Sequence, residues 1–197
     1  MEMKGDNVTP EELRSLISLS KEKVEYLSSI TSKLLVLNRE LRAGSSEVIS
    51  IGDIFEDLSL MHEDNAEKKN MTLGFQSDEI IINVDVDLFT QMLSNFLDNA
   101  IKYTPFGGHV SMVASTLGND VVIKVIDDGP GIADEHKGLI FEPFYRVDKS
   151  RSRATGGSGL GLVFAKEVID LYHGKVEILD GEDGGTVFVL TFSDIMA

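Results

Sequence analysis

The sequence contains no cysteine. A disulfide framework and a thiolate metal site are both excluded, and nothing points to an oxidising compartment, so a reducing, cytoplasmic setting is the expectation. Long apolar runs are missing too. No uninterrupted stretch approaches the roughly 20 residues of a membrane-spanning helix, and the opening MEMKGDNVTP has no hydrophobic signal core. The chain as given is expected to be soluble and to make no membrane contact. Basic residues are scarce, 18 Lys and Arg against 33 Asp and Glu, for a net charge of −15. Nucleic acid and anionic lipid would be repelled at long range, so no nucleic-acid partner is expected without a strong local basic patch. What is present is 42% hydrophobic content in 197 residues, enough for one globular domain of ordinary size plus a smaller element.

Residues 10–42 contain no glycine and only the proline at their start, and apolar residues recur at Leu13, Leu16, Ile17, Val24, Leu27, Ile30, Leu34, Leu37 and Leu41. That spacing predicts one long amphipathic helix, opened by Thr9 as N-cap with Pro10 at the first helical position and closed before Gly44. In heptads, Ile17, Val24, Thr31 and Asn38 share one seam position, and Ser20, Leu27, Leu34 and Leu41 the other. This is a bundle or coiled-coil seam interrupted by polar residues, and it implies a partner helix. The plainer alternative is a helix packed on its own domain.

After RAGSSE the pattern changes to that of a compact mixed domain. A helix is predicted over 51–69, then strands MTLGF and EIIINVDV, a helix over 87–103, and a hairpin of GHVSMVAST and DVVIKVID about the turn LGN. Residues 128–158 are rich in glycine and charge, and a connection of that length inside a compact domain is usually functional. A helix over 159–172 and a terminal hairpin of KVEILD and TVFVLTF complete the set. Irregular alternation with hairpins does not fit a doubly wound parallel sheet. It fits an α+β sandwich, a mixed β-sheet covered on one face by helices and preceded by one long amphipathic helix.

Four patches carry chemistry. In QMLSNFLDNAIKYTP, Asn95 and Asn99 share one helix face, which Lys102 and Tyr103 continue at the helix end, while Met92, Leu93, Phe96, Leu97, Ala100 and Ile101 supply the buried side. Amide oxygens are hard ligands suited to Mg²⁺, lysine is a point charge for phosphate, and tyrosine offers a flat face to a base. A polar edge that simply meets water is the plainer reading. In VIDDGPGIA, an apolar strand delivers Asp127, and Gly129 and Gly131 flank Pro130 in a turn. A carboxylate fixed there accepts a hydrogen bond from an exocyclic amine, although any tight turn would use the same residues.

In GGSGLGLVFA, glycines precede an apolar helical run, the makings of an anion site at a helix N-terminus. Neither the P-loop nor the Rossmann spacing is present. Finally, YRVDKSRSR gathers Arg146, Lys149, Arg151 and Arg153 directly before those glycines. A solvated loop is the bland reading of such a run; its position suggests a lid over phosphates.

In this order and at these spacings the patches resemble the catalytic ATP-binding domain of sensor histidine kinases, within the GHKL ATPase superfamily, and the match runs over about residues 10–192. NFLDNAIKY resembles the family's N box, DDGPG its first glycine box, FEPF its F box and GGSGLGL its second glycine box; GGTVF is similar to its final glycine-threonine strand. The resemblance implies a Bergerat-type α/β sandwich that binds Mg·ATP. It implies that Asn99 coordinates Mg²⁺ and Asn95 supports the metal and phosphate end. Lys102 would hold phosphate, Tyr103 face the base or ribose, and Asp127 accept from the adenine amine. Gly129, Gly131, Gly157, Gly159 and Gly161, with Ser158 and Leu160 between the last three, would shape the turns about ATP. Arg146 would reach the terminal phosphate, and Thr186 help hold adenine. The catalytic set would be Asn95, Lys102 and Arg146.

Gyrase, chaperone and mismatch-repair relatives carry a glutamate general base where this sequence has Asn95. An amide cannot take a proton at neutral pH, so poor intrinsic hydrolysis is expected. In histidine kinases the nucleophile is a histidine on the first helix of a dimeric hairpin, in a motif resembling H-E-x-x-T-P. The helix over 10–42 is similar to the second helix of that hairpin, and no such motif stands in this chain. His62, followed by Glu63, lacks the threonine and proline; His109, His136 and His173 have no motif either.

The expectation is therefore a tail over 1–9, a partial dimerisation helix over 10–44 and a catalytic ATP-binding domain over 45–197, excised from a longer cytoplasmic sensor or from the cytoplasmic part of a membrane-anchored one. It would phosphorylate a hairpin histidine supplied by the same or a partner protomer, with a response regulator downstream and a helix-mediated homodimer in the full-length protein. The rival is a histidine-less regulatory module that binds ATP or a partner kinase and transfers nothing. A self-contained ATPase is a third reading.

Overall fold

In the computed structural model, residues 46–147, 159–182 and 184–197 are described. The helix expected over 10–42, the run from Lys149 to Arg153, and Gly157 and Ser158 lie outside them.

Two strands lie on either side of the first helix in sequence: β1 (Glu47–Ser50), α1 (Ile51–Lys68) and β2 (Thr72–Ser77). Ser50 ends β1 in an extended conformation and its hydroxyl accepts from Gly52 N at 3.1 Å, so one residue closes the strand and caps the helix. Next come β3 (Ile81–Val84) and α2 (Val86–Tyr103). The strand expected over 79–86 stops early because the Asp85 carboxylate accepts from Leu88 N at 3.0 Å and starts the helix there. β4 (His109–Leu117) and β5 (Asp120–Asp127) form the expected hairpin, with Gly118 at φ +64° in its turn. The short helix α3 (Asp134–Lys137), then α4 (Gly161–Leu171), β6 (Lys175–Asp180) and β7 (Thr186–Ser193), complete the chain.

The main sheet has the order β2-β4-β5-β7-β6, parallel between β2 and β4 and antiparallel elsewhere, while β1 and β3 pair in a separate ribbon. Along each central strand the residues of the core cluster alternate: Val110, Met112 and Ala114 on β4, Val121, Ile123 and Val125 on β5, Phe188, Leu190 and Phe192 on β7. The helices cover that face. The apolar side of α2 meets it through rings: Phe89 lies 5.3 Å from Phe192 and Phe96 lies 5.1 Å from Phe188, centroid to centroid, all four fully buried. Truncating one such ring to alanine costs about 3–5 kcal/mol. Because α2 is pinned on that side, its opposite edge, with Asn95, Asn99 and Lys102, is held at a fixed rotation above the sheet.

Candidate nucleotide site

Asn95 and Asn99 stand half-buried on the edge of α2 away from the sheet. The Asn95 amide donates to Gln91 O at 2.8 Å, which leaves its oxygen Oδ1 turned toward α4. A β-carbon on Gly161, the first residue of α4, would stand 2.6 Å from that oxygen. Gly161 is therefore required by Asn95, not by its own backbone torsion. At the end of α2, Lys102 is half-buried and its Nζ lies 5.4 Å from the centroid of the Tyr103 ring, which is half-exposed. Burial lowers the Lys102 ammonium pKa below the ordinary lysine value, and the Arg146 guanidinium lowers it further. Two cations from distant parts of the chain thus crowd one another.

At the end of β5, Asp127 is buried, and its pKa is raised by that burial. Opposing this, Gly129 N donates to Oδ1 at 2.9 Å and Thr186, its direct partner on β7, hydrogen-bonds it as well. The close approach depends on glycine: a β-carbon on Gly129 would stand 2.7 Å from Asp127 Oδ1 and 3.5 Å from Tyr103 O. The Asp-Gly turn and the end of α2 therefore touch. Gly131, at φ +75°, packs on Gly185.

Gly185 is a position that sequence reasoning did not single out. A β-carbon there would lie 1.9 Å from the backbone oxygen of Asp127, so only glycine lets β7 begin this close to the Asp127 main chain. The signal in the sequence is the second glycine of GGTVF, the run similar to the family's final glycine-threonine strand.

The F box leads back to the same place. Phe144 holds φ +68°, a conformation bulky residues rarely adopt and one that collects at functional sites. A β-carbon on Gly159, itself at φ +71°, would be 3.4 Å from Phe144 Cα and 3.7 Å from the Arg146 side chain. Tyr145 is tied to α3 by a 2.7 Å hydrogen bond between its hydroxyl and His136 Nδ1. Leu160 is buried at the N-cap position of α4, where no side chain caps the helix. The structure thus brings Asn95 to Gly161, Lys102 to Arg146, and Asp127 to Gly129 and Thr186.

Of the histidines, His62 is 4% exposed, with Nε2 hydrogen-bonded to Ser94 Oγ at 2.9 Å and Nδ1 at ion-pair distance, 3.3 Å, from Asp98 Oδ1. A side chain so enclosed offers no nitrogen to an incoming phosphoryl group. Among the described residues no group of three or more His, Cys, Asp or Glu could hold a metal ion. A cation here would need amide oxygens and phosphate instead, which the Asn95 and Asn99 edge fits.

Residues 84–195 match the family model described as histidine kinase-, DNA gyrase B-, and HSP90-like ATPase. The chain belongs to that ATPase family. It is homologous to sensor histidine kinases. It is 34% identical over 174 residues to the sensor protein CiaH of Streptococcus pneumoniae, covering 87% of this chain and 39% of CiaH. It is 30% identical over 193 residues to the sensor protein kinase WalK of Staphylococcus haemolyticus, covering 95% and 31%. The chain therefore spans less than half the length of these curated relatives. The catalytic domain of histidine kinase ThkA superposes with a TM-score of 0.67 at 25% identity, over 75% of this chain and 95% of that one. Full-length ShkA, solved in complex with AMPPNP, gives 0.70 at 25% identity over 97% and 40%. The ATPase domain described here has the α+β architecture of those histidine kinase catalytic domains. No helix among its described residues is long and apolar enough to cross a membrane.

Proposed function

We propose that this chain is the Mg·ATP-binding catalytic part of a two-component sensor histidine kinase, and that it transfers the terminal phosphoryl group of ATP to a histidine on a hairpin helix not present in this chain. The observation that carries the reading is the convergence of Lys102 and Arg146. Lys102 beside the Tyr103 ring and Arg146 beside Gly159, near enough for the guanidinium to disfavour the ammonium, suit a site that receives an anion.

In this reading adenine lies against Asp127 and Thr186, with Tyr103 along the base or ribose. Gly129, Gly131 and the run Gly157, Ser158, Gly159, Leu160 and Gly161 let the backbone close on the nucleotide. Asn99 would coordinate Mg²⁺ and Asn95 would support the metal and phosphate end; the ion would neutralise charge on the phosphates. Lys102 and Arg146 stabilise the charge on the group in transfer, so catalysis rests on positioning and electrostatics. Asn95 offers no base to activate water. The enclosure of His62 agrees with a phosphoacceptor outside this chain.

The residues over 10–44 would form one helix of the dimerisation hairpin, with 45–197 as the catalytic domain, a response regulator as the downstream phosphate acceptor, and a cytoplasmic setting. The test is incubation of the chain with labelled ATP, with and without a separate hairpin that carries the H-E-x-x-T-P histidine. Label on the added hairpin, and none on the chain alone, supports the proposal. Binding of ATP without transfer to any hairpin returns the regulatory module in its place.

A further inference from the structure

His62 on α1 and Lys69, the residue that caps its end, stand seven residues apart, and both reach across to α2. His62 meets Ser94 and Asp98, the residues that immediately precede Asn95 and Asn99. Lys69 lies one residue past the end of α1, and its Nζ donates to three backbone carbonyls: Ile101 O at 2.6 Å, Lys102 O at 3.0 Å and Thr104 O at 2.8 Å. An ammonium has three N–H donors, and the last carbonyls of a helix have no partners within it. The match in number is complete. The backbone of Lys69 adds to it, since its carbonyl accepts from Gly107 N at 2.9 Å and so ties down the loop that follows α2.

We propose that His62 and Lys69 are positioning residues for nucleotide binding: a two-point clamp from α1 that fixes the rotation of α2 at Ser94 and Asp98 and its end at the three carbonyls. It rests on the reading that Asn95, Asn99, Lys102 and Tyr103 face Mg·ATP. Neither residue touches the nucleotide. Lys69 acts through Lys102, whose own carbonyl it holds, and through Tyr103, which lies between the held carbonyls of Lys102 and Thr104. Without it, those carbonyls turn to water and the last turn of α2 frays, where the phosphate cation and the aromatic face are mounted. His62 acts through Ser94 and Asp98, whose position decides where the two asparagines point. Its place on the buried stripe of Ile51, Ile54, Leu58 and Ala66 makes the contact direct.

The test measures Mg·ATP binding by titration calorimetry, well below every melting midpoint, for the chain and for Lys69→Met, Lys69→Arg and His62→Gln. Ile123→Val serves as a core control that lowers the midpoint by removing one buried methyl group and leaves the His62 and Lys69 contacts in place. Lys69→Met is expected to weaken Mg·ATP about tenfold, the loss of charge-assisted bonds read as affinity. Lys69→Arg, which keeps the charge and several donors, should recover most of that loss, and Ile123→Val should bind as the parent does. Should Lys69→Met not fold, His62→Gln carries the test, with an expected loss of about threefold or more. A folded Lys69→Met or His62→Gln that melts earlier yet binds Mg·ATP like the parent makes the residues structural only and overturns the clamp. A parent chain that binds no Mg·ATP overturns the nucleotide reading itself, so the two failures are distinct.

Discussion

The side-chain oxygen of Asn95 occupies the space that a β-carbon on Gly161 would take, 2.6 Å from it. Alanine at 161 would push Asn95 away from α4 while favouring the helix itself, since glycine is the poorer helix former by up to about 1 kcal/mol. Gly161→Ala is therefore expected to leave the melting midpoint unchanged or higher and to weaken Mg·ATP about tenfold. Thermal unfolding and calorimetric titration of the same sample read both. Unchanged affinity would show that the position of Asn95 does not matter to binding.

The crowding of Lys102 by Arg146 makes a second expectation. Arg146→Met removes one cause of the lowered Lys102 pKa, so the lysine should titrate nearer its ordinary value, although burial still holds it down. Proton-detected titration of lysine side chains reads this directly. Arg146→Met and Lys102→Met should each weaken ATP, and the double variant should lose less than the two single losses combined, because residues that share one partner are not additive. Full additivity would mean that the two cations serve different groups.

Asp127 links the site to pH. Burial raises its pKa in the folded chain above the unfolded value, against the hydrogen bonds from Gly129 and Thr186. The sign follows: folding favours the protonated acid, so the ionised carboxylate costs stability above the folded pKa, and that cost disappears as pH falls through it. Asp127→Asn should thus raise the melting midpoint at neutral pH, with a gain that shrinks on acidification. It should also weaken ATP about tenfold, since the amide can turn a donor toward the adenine amine. A variant that binds ATP like the parent would place adenine elsewhere.

Steady-state hydrolysis by the chain alone should be slow, for want of a base at Asn95. Asn95→Ala should leave that residual rate unchanged while weakening Mg·ATP. Phosphate release and binding, measured in parallel, separate the two effects; a hydrolysis rate that falls with Asn95→Ala would restore the self-contained ATPase.

Much of this was legible in the chain. The three-and-four spacing of Met92, Phe96, Leu97 and Ala100 marked α2, and its polar edge pointed to the site, because periodicity reports which face is buried. The antiparallel hairpins followed from short turns. The parallel pairing of β2 with β4 did not, since strand partners separated by a whole helix leave no mark in local sequence. β1 was missed because four residues after RAGSSE carry too few alternations to register, and α3 because a four-residue helix has no period. Lys69 and Gly185 escaped for another reason. One is a lysine whose partners are backbone carbonyls, the other a glycine needed for its neighbour's sake, and neither demand is written in residue type.

β7 lies between β5 and β6, its first residue Thr186 faces Asp127, and the chain then runs on to pair Met196 with Ile82. The last of these strands in chain order is thus an interior one. A chain made as far as β6 already holds the asparagines, the lysine and every glycine of the second box, yet β5 has an open edge and the carboxylate lacks its threonine. A break anywhere between β6 and Thr186 would therefore take an interior strand from the sheet and a hydrogen-bond partner from Asp127 at once, so the carboxylate is coupled to the integrity of the whole sheet.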